Sequence, residues 1–192
     1  MPRTSAAVAA QTARDVLEAA AELLASRGVA AVSLDDVAAA AGVTRGAVYH
    51  HYRNKAGLFR AVSARLQAEV ADAVVVAAEG AGSAPAAQLR AGCHAFVDAI
   101  TAAPAARVLL VDAPAVIGWQ EWRDLDAENS GGHLREALAD AGVLQELLEA
   151  TTVQLSGAMN EAALWLAQSA GGDQERAGVH RVLDQLLDAV LA

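Results

Sequence analysis

Three places in this 192-residue chain bring together residue types that could do chemistry. Cys93-His94 sets a thiol beside an imidazole, the groups a nucleophilic thiolate needs. His50-His51 offers two nitrogens of the kind that bind zinc. Thr44, Arg45, Gly46, Tyr49 and His50 crowd hydroxyls, a guanidinium, an imidazole and a bare backbone position into one short stretch, which suits phosphates and base edges. The first two fail on geometry. Adjacent helical residues point about 100° apart, so neither pair easily shares one target. Cys93 also falls on an apolar face, where a thiol stays inert. No P-loop, dinucleotide, zincin, nucleophile-elbow or Cys-x-x-Cys pattern occurs. No catalytic group, cofactor or metal is therefore expected.

The third set needs a short, well-capped helix to present it. Ser33 with Asp36 reads as a capping box, and Val32 with Val37 as a hydrophobic staple across it. That cap opens a helix over 34–41, which ends at Gly42. Thr44 caps a second over 45–51. Asn54 caps a third, running through Leu58, Phe59, Val62, Leu66 and Val70 to about Ala78. A glycine turn, Ala41-Gly42-Val43, between two short helices is the helix-turn-helix signature. Leu34, Val37, Ala38, Val43, Val48 and Tyr52 would face a first helix that starts at Thr12 and keeps helical spacing at Ala13, Val16, Leu17, Ala20 and Leu24. Gly28 ends that helix, and residues 1–11 are expected to fray. Thr44, Arg45, Gly46, Tyr49 and His50 stay outward, where a helix lying in the major groove meets base edges. Arg45 can bond guanine bidentately. Lys55, at the start of the long helix, can meet a phosphate with its ammonium and the free N–H groups together.

Composition sets the class. Fifty alanines, with 55% hydrophobic and only 4% aromatic residues, favour helix over strand. The expected class is all-α. Disordered and collagen-like classes are excluded by the apolar fraction and the four prolines. No apolar run reaches the length of a membrane span, and no signal peptide is expected. With one cysteine there is no disulfide framework, so a cytoplasmic setting fits best. The net charge of −9 is unevenly spread. Residues 1–60 hold seven basic and five acidic side chains, and the remainder seven and eighteen. A basic first part on an acidic chain is a reason to look for a nucleic-acid contact there.

Beyond the turn Gly80-Ala-Gly-Ser-Ala-Pro85, further helices are expected. Leu89, Cys93, Phe96, Val97 and Ile100 share one face. One short and one medium helix fill 105–128, with Asp112 a possible cap. Asn129-Ser-Gly-Gly132 reads as a break before a helix that Gly142 ends. A long helix spans about 145–169, Gly171-Gly172 turns the chain, and Asp173 caps the last helix.

SLDDVAAAAGVTRGAVYHHYRNKAGLFRAV, residues 33–62, resembles the DNA-binding domain of the TetR (tetracycline repressor-like) family of transcriptional regulators. The capped helix after Gly28, the Ala-Ala-Gly-Val-Thr turn, Gly46, Tyr49, the aromatic Tyr52 and Lys55 carry the resemblance, which covers about residues 10–60. Ala56-Gly57 lacks the usual acidic pair, and Tyr52 stands where phenylalanine is commoner. The resemblance implies that Ser33 and Thr44 meet phosphate, that Arg45, Gly46, Tyr49 and His50 lie nearest the groove, and that His51 and Lys55 grip the backbone. It also implies a ligand-binding and dimerisation domain over 80–192, reached through the helix 55–78. His94, Phe96, Trp119, Trp122, Met159, Asn160 and Trp165 are candidates for a pocket holding a small organic effector. Asp112, Glu121 and Asp124 could complement a cationic ligand, though a solvated acidic face is the favoured explanation. Val179, Val182, Leu183, Leu186, Leu187 and Val190 recur at helical spacing, as do Leu144, Leu147, Leu148, Leu155 and Met159. The resemblance suggests Leu155 and the last-helix stripe as a homodimer interface, with Ser156, Gly157 and Ala163 allowing close approach. The expected function is a dimeric repressor of a palindromic operator. The alternatives are a helical interaction protein and a divergent helical enzyme on the same fold.

Overall fold

Side-chain caps write the helix boundaries in the first part of the computed structural model, which describes residues 2–169 and 172–192, with side chains from residue 7. Helix α1 (Pro2–Arg27) ends at Gly28, whose φ of 77° favours glycine. It begins ten residues before the expected Thr12. Proline suits the first helical turn and alanine is the best helix former, so the segment taken as frayed continues the helix. After a 3₁₀ turn at Val29–Ala31, α2 (Leu34–Ala40) opens on the capping box. The Asp36 N–H donates to Ser33 Oγ at 3.1 Å, and the Ser33 N–H donates to Asp36 Oδ2 at 2.8 Å. The Ser33 hydroxyl and N–H both donate to the Asp36 carboxyl and hold it below its ordinary pKa. Thr44 Oγ1 accepts from the Ala47 N–H at 3.2 Å to open α3 (Arg45–Tyr52). Asn54 Oδ1 accepts from the Gly57 N–H at 2.8 Å to open α4 (Lys55–Gly80).

Val16, Ala20 and Leu24 of α1, Val37 of α2, Val48 of α3 and Phe59 and Val62 of α4 are buried together. Tyr52 Oη donates to the Ala13 carbonyl at 2.9 Å and ties α3 to α1. The departure at Ala56-Gly57 has a steric reason. A Cβ on Gly57 would collide with the Tyr52 carbonyl oxygen, so glycine lets the α3–α4 corner close.

The remainder comprises α5 (Pro85–Thr101), α6 (Ala113–Val116), α7 (Trp119–Asp126), α8 (Gly132–Asp140), α9 (Gln145–Gln168) and α10 (Asp173–Leu191). There is no strand among the described residues, as an all-α chain requires. No single helix among them is long and apolar enough to cross a membrane. A polar ladder fastens α10 to α5. Arg90 pairs with Asp184 at 2.7 Å, His94 Nε2 stands 2.8 Å from the same carboxylate, and Arg176 reaches Asp98 at 2.8 Å. The His94 and His180 rings stack at 4.3 Å.

Three local expectations need correction. Asn129-Ser-Gly-Gly132 is no break: a π-helical stretch, Ala127–Gly131, carries α7 directly into α8. Asn129 Nδ2 donates to the Leu125 carbonyl at 2.7 Å and Ser130 is buried, so packing overrides the weak propensity of two glycines. Asp112 holds the N-cap position of α6 but makes no side-chain cap hydrogen bond. It also ends a second π-helical stretch, Ala106–Asp112, and its Oδ2 accepts from the Val29 N–H at 3.2 Å, tying that stretch to the 3₁₀ turn after α1. Gly172, not Asp173, occupies the N-cap of α10, and Asp173 lies in the first turn, where a negative charge suits the helix dipole. Gly171 lies outside the described residues.

Candidate nucleic-acid interface and ligand cavity

Val48 is the buried anchor of α3, and the opposite side of that helix faces solvent. Thr44, Arg45, Gly46, Tyr49 and His50 are all exposed, Tyr49 by 58%. His51 is half-buried at the edge of this face, and so is Lys55, whose Nζ stands 3.5 Å from the Ala30 carbonyl. Thr44 uses its oxygen as the cap acceptor, which leaves its hydroxyl proton available for a phosphate. Ser33 differs. Its N–H and its hydroxyl both donate to Asp36, so it has no free donor for the phosphate contact expected of it. Arg45 rests against Asp35 of α2 at 3.0 Å, both side chains being well exposed. It can leave that carboxylate for a base at little cost. Arg53, overlooked in the motif, is exposed beside Lys55 with φ of 67° at the C-cap of α3.

The chemistry of the rest of the chain gathers elsewhere. A cavity of about 210 Å³ opens between α4, α5, α8, α9 and the 126–131 segment. Leu89, Phe96, Leu134 and Met159 form apolar walls, and Asp126 and Ser130 lie buried on its floor. Burial raises the Asp126 pKa, against the opposing pull of Arg123 and of hydrogen bonds from Asn160 and Ser156. Cys93 also lines this cavity. Burial pushes its thiol up to about 12, so a thiolate is not available. Among the described residues no group of three His, Cys, Asp or Glu could hold a metal ion.

Of the pocket candidates, Phe96 and Met159 line this cavity. Asn160 sits behind it and donates to Asp126 Oδ2 at 3.2 Å. His94 belongs to the α5–α10 ladder. None of the three tryptophans is among the lining residues. Trp122 is buried, Trp119 is 64% exposed with its ring 5.0 Å from that of Trp122, and Trp165 borders a groove between α9 and α10. Aromatic content carries no information about which side of a helix faces a cavity. The residue that matters most on the floor, Asp126, reads in sequence as one more surface acid, like the neighbouring candidates Glu121 and Asp124. Glu121 is instead paired with Arg60 of α4 at 2.7 Å.

The dimer candidates also divide. Val182 and Leu186 are 56% and 41% exposed and, with Val179 and Trp165, line the α9–α10 groove. Val190 is half-buried. Leu155 and Leu187 are buried in the subunit's own core, and Leu183 is buried where it lines that groove.

Residues 16–62 match the family model for bacterial regulatory proteins of the tetR family, and residues 86–190 match that of the tetracyclin repressor-like C-terminal domain. The second match alone spans more than half of the chain. The chain belongs to the TetR family. HTH-type transcriptional regulators align with about a third of it. The HTH-type transcriptional regulator SrpR of Pseudomonas putida is 43% identical over 67 residues, 35% of this chain and 32% of that protein. The HTH-type transcriptional regulator AcrR of Shigella flexneri is 42% identical over 59 residues, 31% of this chain and 27% of that protein. The chain thus spans a third or less of the length of these two relatives. The crystal structure of a TetR-family transcriptional regulator from Pectobacterium atrosepticum is similar over 97% of both chains, with a TM-score of 0.77 and 30% identity. The family is one of transcriptional regulators, not of enzymes.

Proposed function

We propose that this chain is a cytoplasmic, homodimeric repressor that binds a palindromic operator and leaves it when a small organic effector enters the cavity. The observation that carries the reading is the exposed Thr44–His50 face on a helix anchored by buried Val48. Residues 10–60 form the DNA-binding domain, 80–192 the effector and dimer domain, and α4 the lever between them. Arg45, Gly46, Tyr49 and His50 read bases, while Thr44, His51 and Lys55 hold phosphates. Ser33 serves mainly as the cap that positions α2.

The apolar groove of α9 and α10 supports a second copy as its occupant. Val182, Leu186 and Trp165 expose a contiguous apolar strip, a poor surface to leave in water. Pairing two such helix pairs about a twofold axis makes a four-helix interface. It would set the two α3 helices against half-sites about 34–36 Å apart.

Coupling runs through α4 and through polar links between the two parts. Asp112 accepts from Val29 at 3.2 Å, and Arg60 pairs with Glu121 at 2.7 Å. An effector that favours a different packing of α4 changes half-site spacing, typically at a coupling of about 1–3 kcal/mol. Fluorescence anisotropy with the DNA upstream of the chain's own gene tests the reading. Salt-resistant preference for one palindrome over random duplex is expected. Equal affinity for both would refute it.

A further inference from the structure

The cavity between α4, α5, α8 and α9 is lined by charge of one sign. Asp126 lies on its floor and Glu79, Glu136 and Asp140 at its exposed mouth, and among the described residues no lysine or arginine lines it. Among the described residues His133 is the one lining residue with a basic side chain. The walls between mouth and floor are apolar, with Leu89, Phe96 and Met159 all buried.

The floor is incompletely satisfied. Asp126 is only 2% exposed. Its Oδ2 accepts from Asn160 Nδ2 at 3.2 Å, from Ser156 Oγ at 3.3 Å and from Arg123 Nη1 at 3.4 Å. Its Oδ1 has no protein partner, and neither has the buried hydroxyl of Ser130, one helical turn further on. A buried acceptor without a donor is costly, and native proteins leave few of them. Asp126 lines the cavity, so a small turn of its carboxyl would bring Oδ1 to a donor on a molecule that covers the apolar walls. A neutral donor could do the same, but the carboxylates at the mouth concentrate cations and repel anions. A bound cation also favours the ionised carboxylate that burial disfavours.

We infer that this cavity takes an organic cation, an ammonium or amidinium group on an apolar body of about one ring, which donates to Asp126 Oδ1. The inference rests on the proposed reading of the cavity as the effector site and names the chemistry of that effector. The size agrees. A cavity of about 150 Å³ holds benzene, and this one, at about 210 Å³, leaves room for a short charged arm.

Calorimetry on the full chain with three probes that share a phenyl ring tests it: 2-phenylethylamine, 2-phenylethanol and 3-phenylpropanoate. The amine is expected to bind about ten- to a hundredfold more tightly than the alcohol, the range of a charge-assisted hydrogen bond. The anion is expected to be weakest. Asp126→Asn should bring the amine down to the level of the alcohol and leave the alcohol unchanged. Glu136→Gln should have a smaller, salt-sensitive effect. The ranking of probes on the unaltered chain holds even if Asp126→Asn fails to fold. Equal binding of amine and anion, or an unchanged preference in a folded Asp126→Asn variant, overturns the inference. If the alcohol and the anion bind but the amine does not, the cavity remains a ligand site and only its assigned chemistry falls. If no probe binds, both fall. If the amine binds as expected without changing DNA affinity, the chemistry stands and the effector role falls.

Discussion

Replacing Asp35 by asparagine should tighten DNA binding, although it removes an ion pair. Asp35 holds Arg45 at 3.0 Å, with the two side chains 62% and 67% exposed. A pair so exposed contributes about 0.2–1 kcal/mol. That amount is what Arg45 must give up before it can bond a base. A bidentate contact from Arg45 to guanine discriminates by about 1–3 kcal/mol, so the exchange favours DNA. Asp35→Asn removes the competitor and takes one negative charge away from the phosphates, so affinity should rise about two- to fivefold, the factor that 0.4–1 kcal/mol represents. Arg45→Ala should cost about 1–3 kcal/mol on the cognate palindrome and relax the preference at one base pair. In the double variant the gain from Asp35→Asn should shrink, because the competition it relieves no longer exists. The assay is an anisotropy titration of cognate and random duplexes at one fixed salt concentration. A loss of affinity in Asp35→Asn would show that this carboxylate contacts DNA directly. Identical effects of Arg45→Ala on both duplexes would show that Arg45 reads no base. Either result refutes the argument.

Lys55→Ala should weaken cognate and random duplexes alike and lower the salt slope by about one, since a phosphate contact carries no sequence information; an effect confined to the cognate duplex would place Lys55 at a base. Leu186→Glu should shift sedimentation from dimer to monomer with the helix content kept, whereas Leu187→Glu, at a position with 0% exposure, should unfold the subunit. Identical behaviour of the two would remove the proposed interface. For Asp126 the sign is fixed by its raised pKa. Its contribution to stability is most favourable below the unfolded value of about 3.9 and is lost as pH rises through the folded value. Urea melts should therefore show Asp126→Asn gaining on the unaltered chain from about pH 4 towards neutrality, and a pH-independent difference would contradict a buried, titrating carboxyl.

The head of the molecule was legible because its determinants are local. A cap and the N–H it accepts lie three residues apart, so Ser33 with Asp36, Thr44 with Ala47, and Asn54 with Gly57 could be read as helix starts without knowing the fold. Arg45 and Tyr49, at i and i+4, share the outward side of α3, while Val48 between them turns inward. Periodicity also found every long helix, but it could not say what each apolar stripe faces. Leu183 and Leu187 turn into the subunit while Val182 and Leu186 turn outward, and an i, i+3, i+4, i+7 pattern wide enough to hold all four fits both destinations. Glycine at 131 and 132 permits a break without requiring one, and only packing of Ser130 kept the chain helical. Asp126 is the extreme case. Nothing in its neighbours along the chain marks it as buried, because its environment is assembled by Ser156 and Asn160, thirty or more residues away. Interactions that close within one helical turn are properties of the sequence. The polarity and shape of a cavity are properties of which turns the tertiary fold brings together.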